Sequence, residues 1–270
     1  MTILPDIRPL FCPVQPAVRE MPAQVRYTEV LPDFHLARYI YCYWQLRTQE
    51  PLTQPFSYRV VADGCMDLFY DAGNPEENFI MGFSATYTTF PLQQSFNYIG
   101  IRFLPAAIPL LFKIDAAALT DRFELLAHVI PSLAADLGRM GAIAAAVELL
   151  KPHFDHHFLR LLSTTDFDID SRLFDAIERI LRSQGTIPVE RELNTGISPR
   201  QLRRLFNYYI GDTPKTFSKV VRFQHVLNAK PSLESLRKNK LFYDSGYYDQ
   251  AHFVKDFKVM YGLTPTDALK

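Results

Sequence analysis

The stretch Ser198–Phe206 (SPRQLRRLF), continued by Asn207–Pro214 (NYYIGDTP), returns as Asp249–Phe257 (DQAHFVKDF) and Lys258–Pro265 (KVMYGLTP). An offset of 51 residues superposes Ser198 on Asp249, Leu202 on Phe253, Arg204 on Lys255, Phe206 on Phe257 and Gly211 on Gly262. Each copy opens on a capping residue, carries about three turns of helical apolar spacing, stops at glycine and restarts at Thr-Pro. In the first copy Leu202, Leu205, Phe206 and Tyr209 form the stripe that must face a core. Arg200, Arg203, Arg204 and Asn207 repeat that spacing on another face. Three guanidinium groups along one helix side fit a duplex major groove, where their forks match guanine O6/N7 or phosphate oxygens. The competing reading is an ordinary solvated basic face, and the second copy downstream weighs against it.

In that second copy Phe253, Phe257 and Met260 mark the core side. The face matching the arginines carries Ala251, Val254, Lys255 and Lys258, with Gln250 beside it. Small apolar groups suit thymine methyls, a carboxamide suits adenine, and ammonium groups suit phosphate. Ser198, Gln201, Asp249 and His252, in the first turns, complete the candidate DNA-binding set. Upstream, Arg172–Ser183 reads as an amphipathic helix with the stripe Leu173, Ile177, Ile180 and Leu181, ended by Gly185. Val189–Thr195 reads as a short helix, and Gly196-Ile197-Ser198 as a tight turn, which together make helix-turn-helix. Phe217–Asn228 joins the two units, and Ser232–Lys240 is the expected first helix of the second.

Charge separates this part from the rest. The 270 residues balance 29 Lys and Arg against 29 Asp and Glu. Residues 171–270 hold 17 basic and 10 acidic side chains, +7, so the first 170 carry −7. Such asymmetry points to a basic domain that meets a polyanion and another that does not. The polar stretch Ser163–Asp170 (STTDFDID) marks the expected linker, dividing the chain into 1–165 and 171–270.

The first part reads differently. Residues 1–24 are proline-rich and aperiodic, an extended arm. From Gln24 to about Leu104 the pattern is that of strands: Arg38–Thr48, Tyr58–Val61, Met66–Tyr70, Phe79–Phe83, Thr86–Pro91 and Phe96–Phe103. Asp63-Gly64 is a strong turn pair between two of them. Closely spaced strands suggest a small barrel or sandwich. Tyr41, Tyr43, Trp44, Tyr58 and Tyr70 are candidates to line a small-molecule pocket there, although strand aromatics more commonly fill a core. Helices are expected at Ala106–Phe112, Thr120–Val129 and Ser132–Leu150, whose small residues suit a bundle or a dimer seam. His153, His156 and His157 have the spacing of metal ligands. No cysteine accompanies them, and Asp155 is the only carboxylate beside them, which favours a solvated helix end.

Function classes narrow accordingly. Three scattered cysteines (Cys12, Cys42, Cys65) argue against a disulfide framework or structural zinc and fit a reducing compartment. No apolar run reaches the length of a membrane span, and residues 1–24 lack a signal-peptide core, so a soluble cytoplasmic protein is expected. No nucleophile elbow, phosphate loop or metal-ligand set occurs. The expectation is no catalytic residue, no cofactor and no metal.

At this point the stretches RQLRRLF…GDTPKTFSKVVRFQHVL and GYYDQAHFVKDFKVMYGLTP resemble the DNA-binding domain of the AraC (AraC/XylS) family of bacterial transcription regulators. The resemblance implies seven helices over residues 171–270, with two helix-turn-helix units joined by a long helix and one recognition helix per unit. The positions matching the family's base-contacting residues are Arg200, Arg203, Arg204, Gln250, Ala251 and Lys255. Phe242 stands where the family usually has a small alanine, four residues before the glycine of the second turn. YCYW, the Asp-Gly-Cys turn with Met66-Asp67-Leu68, and IRFLP resemble, more weakly, the domain that precedes one subgroup of these regulators.

The expected fold class is α+β: a β-rich, barrel- or sandwich-like part with a helical segment at 105–162, then an all-α part of two helix-turn-helix units. The expected function is sequence-specific transcription regulation. Double-stranded DNA is the partner, with a small-molecule effector and a homodimer as further expectations and no membrane. A co-regulator or scaffold with impaired DNA binding is the alternative, and an enzyme built on the barrel is the rival from another class.

Overall fold

The computed structural model describes residues 4–19, 21–167, 170–229 and 246–268. Among the described residues eight strands form two antiparallel sheets. The larger has the order β1 (Val25–Val30), β2 (Ile40–Thr48), β7 (Asn97–Phe103), β4 (Met66–Asp71), β5 (Asn78–Met81), β8 (Phe123–Leu125). The smaller pairs β3 (Phe56–Val60) with β6 (Thr88–Leu92). Neither sheet closes on itself, so the arrangement is sandwich-like and no closed barrel forms.

β2 shows how sequence sets the two faces. Its register against β7 slips between Ile40 and Cys42, so Ile40 and Tyr43 share one face while Cys42, Trp44 and Leu46 share the other. Tyr43 and its neighbours pack under the helices α3 (Pro131–Gly141) and α4 (Val147–Thr164). There the Tyr43 hydroxyl donates to Asp155 Oδ1 at 2.8 Å, and the Gln45 amide donates to the Ala145 carbonyl at 2.9 Å. The opposite face meets the small sheet through a separate aromatic cluster.

Several expectations are corrected. Asp63-Gly64 reads as a hairpin turn, but β3 and β4 lie in different sheets and the segment crosses between them. Asp63 is spent inside the protein, accepting from Gln15 Nε2 at 2.8 Å and from the Cys65 amide at 2.9 Å. The expected helix at Ala106–Phe112 is α1 (Ala107–Phe112), but Thr120–Val129 is not one helix: β8 takes Phe123–Leu125 at the sheet edge, and α2 is only Leu126–Val129. Ser132–Leu150 breaks into α3 and α4, and α4 runs on to Thr164. The three histidines therefore lie within a helix rather than at its end. His153 and His156 are exposed, while His157 turns towards Asp136 of α3, 3.7 Å away. Among the described residues no group of three or more His, Cys, Asp or Glu is placed to hold a metal ion. The arm is short 3-10 turns rather than plain extended chain, and it is not free: Leu4, Ile7 and Phe11 are buried.

The C-terminal part contributes α5 (Ser171–Arg182), α6 (Val189–Glu192), α7 (Pro199–Tyr209), α8 (Pro214–Asn228), α9 (Gln250–Tyr261) and α10 (Pro265–Ala268). The predicted stripe of α5 is buried, and Gly185 follows it at φ +73°. α6 stops at Glu192, three residues short of the expected Thr195. The expected helix Ser232–Lys240, and Phe242 with it, lie outside the described residues. Among the described residues no helix is long and apolar enough to cross a membrane.

The two parts share one hydrophobic core, running from Leu4 of the arm to Tyr261 of α9. Gln224 of α8 anchors it: its Oε1 accepts from the Val14 amide at 2.7 Å, and its Nε2 donates to the Ala62 carbonyl at 2.7 Å. Backbone bonds from Ala62 to Met260 (3.3 Å) and from Tyr87 to Val259 (3.2 Å) tie α9 to the β-rich part. Buried polar groups satisfied across a seam in this way hold its two sides in one arrangement.

Candidate functional site

The helix α7 forms for reasons visible in its first turn. Ser198 accepts from the Gln201 amide at 3.2 Å, and Pro199 occupies the first helical position, where no backbone donor is needed. Leu202 and Phe206 are buried, the latter with its ring 5.9 Å from Phe217 of α8. That fixes the rotation of the helix, and Arg200, Arg203, Arg204 and Asn207 come out exposed on one side. Arg200 and Arg204 make no hydrogen bond or ion pair among the described residues, while Arg203 Nε reaches only its own helix, at the Pro199 carbonyl, 3.4 Å away. Unpaired guanidinium groups held on a packed helix are what a major groove or a phosphate ladder requires. They line a groove of about 760 Å³, whose other wall is Asp115 and Ala117 of the β-rich part.

The second copy is built in the same way. Asp249 caps α9 by accepting from the His252 amide at 2.7 Å, and Phe253, Phe257 and Met260 are buried. Phe257 packs 5.6 Å from Phe223 of α8. Gln250, Ala251, Lys255 and Lys258 are exposed together, with Val254 half-buried. His252 differs: its Nε2 lies 3.2 Å from Asp256 Oδ2 and its ring stands edge-on to Tyr247 at 5.4 Å. Its side chain is half-buried, shared between these partners and solvent. Lys219 Nζ of α8 approaches the same Asp256 at 3.6 Å.

Both glycine stops abut the β-rich part. Gly211 (φ +110°) lies against Phe83 and Thr120, and its carbonyl accepts from the Thr120 hydroxyl. Gly262 (φ +90°) leaves no room for a side chain, because a Cβ there would stand 2.7 Å from the Tyr87 ring.

A second concave feature, a pocket of about 210 Å³, lies between the two sheets. Trp44 and Tyr58 line it, together with Phe69, Phe90 and Phe123. Tyr43 and Tyr70 are on the helical side of the large sheet, fully buried, and Tyr41 lies under the Arg8 guanidinium at 4.9 Å. None of these three contributes to the lining. Sequence reasoning passed over Asp67 and Arg102, which close the pocket floor: Arg102 Nη2 donates to Asp67 Oδ2 at 2.9 Å and Nε to Oδ1 at 3.1 Å. Asp63 Oδ2 stands 3.8 Å from Arg102 Nε. Burial works against the Arg102 charge, but the two carboxylates outweigh it and hold the guanidinium pKa well above its ordinary value. The signal was present: a charged residue inside each of two otherwise apolar strands, MDLFY and GIRF.

Capped helices that carry an unpaired basic face, each preceded by a tight turn and joined through a central helix, define a helix-turn-helix DNA-binding protein. In agreement, residues 194–270 match the family described as a helix-turn-helix domain. The C-terminal part therefore carries a helix-turn-helix domain, in line with the AraC-type resemblance of its sequence. Residues 28–124 match a family described as a domain of unknown function (DUF6597). No curated protein matches the chain. Among solved structures, ToxT from Vibrio cholerae bound to an unsaturated fatty acid is 12% identical with a TM-score of 0.40, over 82% of this chain and 96% of that one. ToxT bound to (E)-4-(8-methylnaphthalen-1-yl)but-3-enoic acid is 15% identical with a TM-score of 0.39, over 91% of this chain and 97% of that one.

Proposed function

We propose that this chain is a one-component regulator in which residues 171–270 read duplex DNA through α7 and α9, and residues 1–165 respond to a small molecule. The observation that carries the DNA-reading assignment is the exposed face of Arg200, Arg203 and Arg204 on a helix whose rotation is fixed by buried Leu202 and Phe206. In this reading α7 enters one major groove and supplies base contacts through arginine forks. α9 enters the next groove with Gln250, Ala251 and Lys255, and Lys258 meets phosphate.

The seam between the two parts supports the coupling. Gly211 and Gly262, the ends of the two reading helices, both rest on the β-rich part, and Asp115 walls the groove that the arginines line. A small-molecule-dependent shift of that part moves the helix ends and the acidic wall together, biasing the chain towards or away from DNA. Selecting bound duplexes from a random pool tests the reading. Enrichment of one sequence pattern supports it. Equal retention of all sequences overturns specific reading, and failure to retain any duplex at low salt favours a co-regulator that has lost DNA binding.

A further inference from the structure

The pocket between the sheets has the size, the walls and the charge balance of a site for one kind of molecule. An engineered cavity of about 150 Å³ admits benzene. At about 210 Å³ this one has room for one ring and a short substituent. Its walls are aromatic: Phe69 is the hub, with ring centroids 5.5 Å from Phe79, 6.1 Å from Phe90, 6.3 Å from Phe123 and 6.5 Å from Trp44. Offset and edge-on packing of a planar guest extends such a cluster. Phe123 is 47% exposed while lining the pocket, which places the entrance at the β8 edge.

Charge decides the rest. The two charged groups in the lining, Arg102 and Asp67, are locked to each other through two donors, and Asp63 stands behind them. An anionic guest would find the guanidinium already engaged by carboxylates. A cationic guest would find the facing carboxylate already engaged by the guanidinium. Burying an unpaired charge in such a place costs several kcal/mol. Three neutral polar groups of the lining, the Tyr58 and Tyr98 hydroxyls and the Trp44 indole N–H, make no hydrogen bond among the described residues, and Tyr58 carries the more buried of the two hydroxyls.

We propose that the pocket binds an uncharged aromatic molecule of one ring, bearing a short substituent with a hydrogen-bond acceptor that Tyr58 meets. This rests on the small-molecule reading above and specifies its ligand. Trp44 is the only tryptophan of the chain and lines the pocket, so its emission reports occupancy directly.

The test is a titration of the full chain with four probes of similar size: benzyl methyl ether, phenylacetate, 2-phenylethylammonium and propylbenzene. Benzyl methyl ether is expected to shift Trp44 emission saturably, at least about tenfold more tightly than either charged probe, from the cost of burying an unpaired charge. Tyr58→Phe is expected to weaken benzyl methyl ether about three- to tenfold and to leave propylbenzene unchanged, as loss of one hydrogen bond predicts. Phenylacetate or 2-phenylethylammonium binding as tightly as the ether overturns the ligand class while leaving a small-molecule pocket in place. Equal loss of the ether and propylbenzene in Tyr58→Phe overturns the role of the hydroxyl. No saturable response to any of the four overturns the pocket itself, independently of the outcome of the DNA selection.

Discussion

The two repeated helices, α7 and α9, share a buried layer and differ in their outer one. Phe206 and Phe257 occupy the same place 51 residues apart, both fully buried, each against an aromatic ring of α8. Ser198 and Asp249 cap in the same way. Outside, α7 shows three arginines, whereas α9 shows alanine, glutamine and two lysines and sets a half-buried His252 beside Asp256. The repeat therefore preserves how a helix is seated and leaves free what it presents. In this account α7 supplies most of the base discrimination, and α9 adds reach and phosphate contacts.

The largest effects should fall where the copies agree. Phe206→Ala and Phe257→Ala should each cost about 3–5 kcal/mol of stability, because each removes a fully buried ring. Thermal melts of both variants check this, and a loss below about 1 kcal/mol in either would mean that the copies are not seated alike. The next effect should separate them. Arg204→Ala should cost about 1–3 kcal/mol on a selected duplex, and the superposed Lys255→Ala less than that, read by fluorescence anisotropy. A larger loss for Lys255→Ala would reverse the roles of the two helices. Removing the caps should bring the copies together again. Ser198→Ala and Asp249→Ala should each lower stability by about 1 kcal/mol in chemical denaturation. The smallest effect is Lys258→Ala, which should weaken all duplexes nearly uniformly and reduce the salt slope of binding by about one. A sequence-dependent loss there would make Lys258 a base reader.

The seated layer of this comparison was legible in the sequence. Leu202, Phe206, Phe253 and Phe257 sit at helical spacing between a cap and a glycine, so start, stripe and stop all point to the same element. The exposed arginine face followed from the same periodicity. The His252–Asp256 contact lies at i,i+4 spacing on α9 and was open to the same reading but was passed over, whereas the edge-on contact with Tyr247 depends on how the turn before α9 folds back. The β-rich part was harder to read. Six of the eight strands were read, β1 was not singled out and β8 was taken for helix, and the assignment to two sheets depends on long-range pairing that no local pattern encodes. Tyr43 and Trp44 are adjacent and face opposite ways, and the register slip after Ile40 decides which of the two faces the helices. Asp67 and Arg102 are 35 residues apart in sequence, so their pairing at the pocket floor becomes visible only once β4 lies beside β7.

The central claim is that α7 reads sequence, and the ratio of affinities for selected and scrambled duplex, at one salt concentration, tests it most directly in the parent and in Arg204→Ala. The account predicts that the ratio falls about five- to a hundredfold in the variant, with affinity for scrambled duplex changed far less, as loss of one bidentate base contact requires. A variant whose ratio equals that of the parent would contradict it.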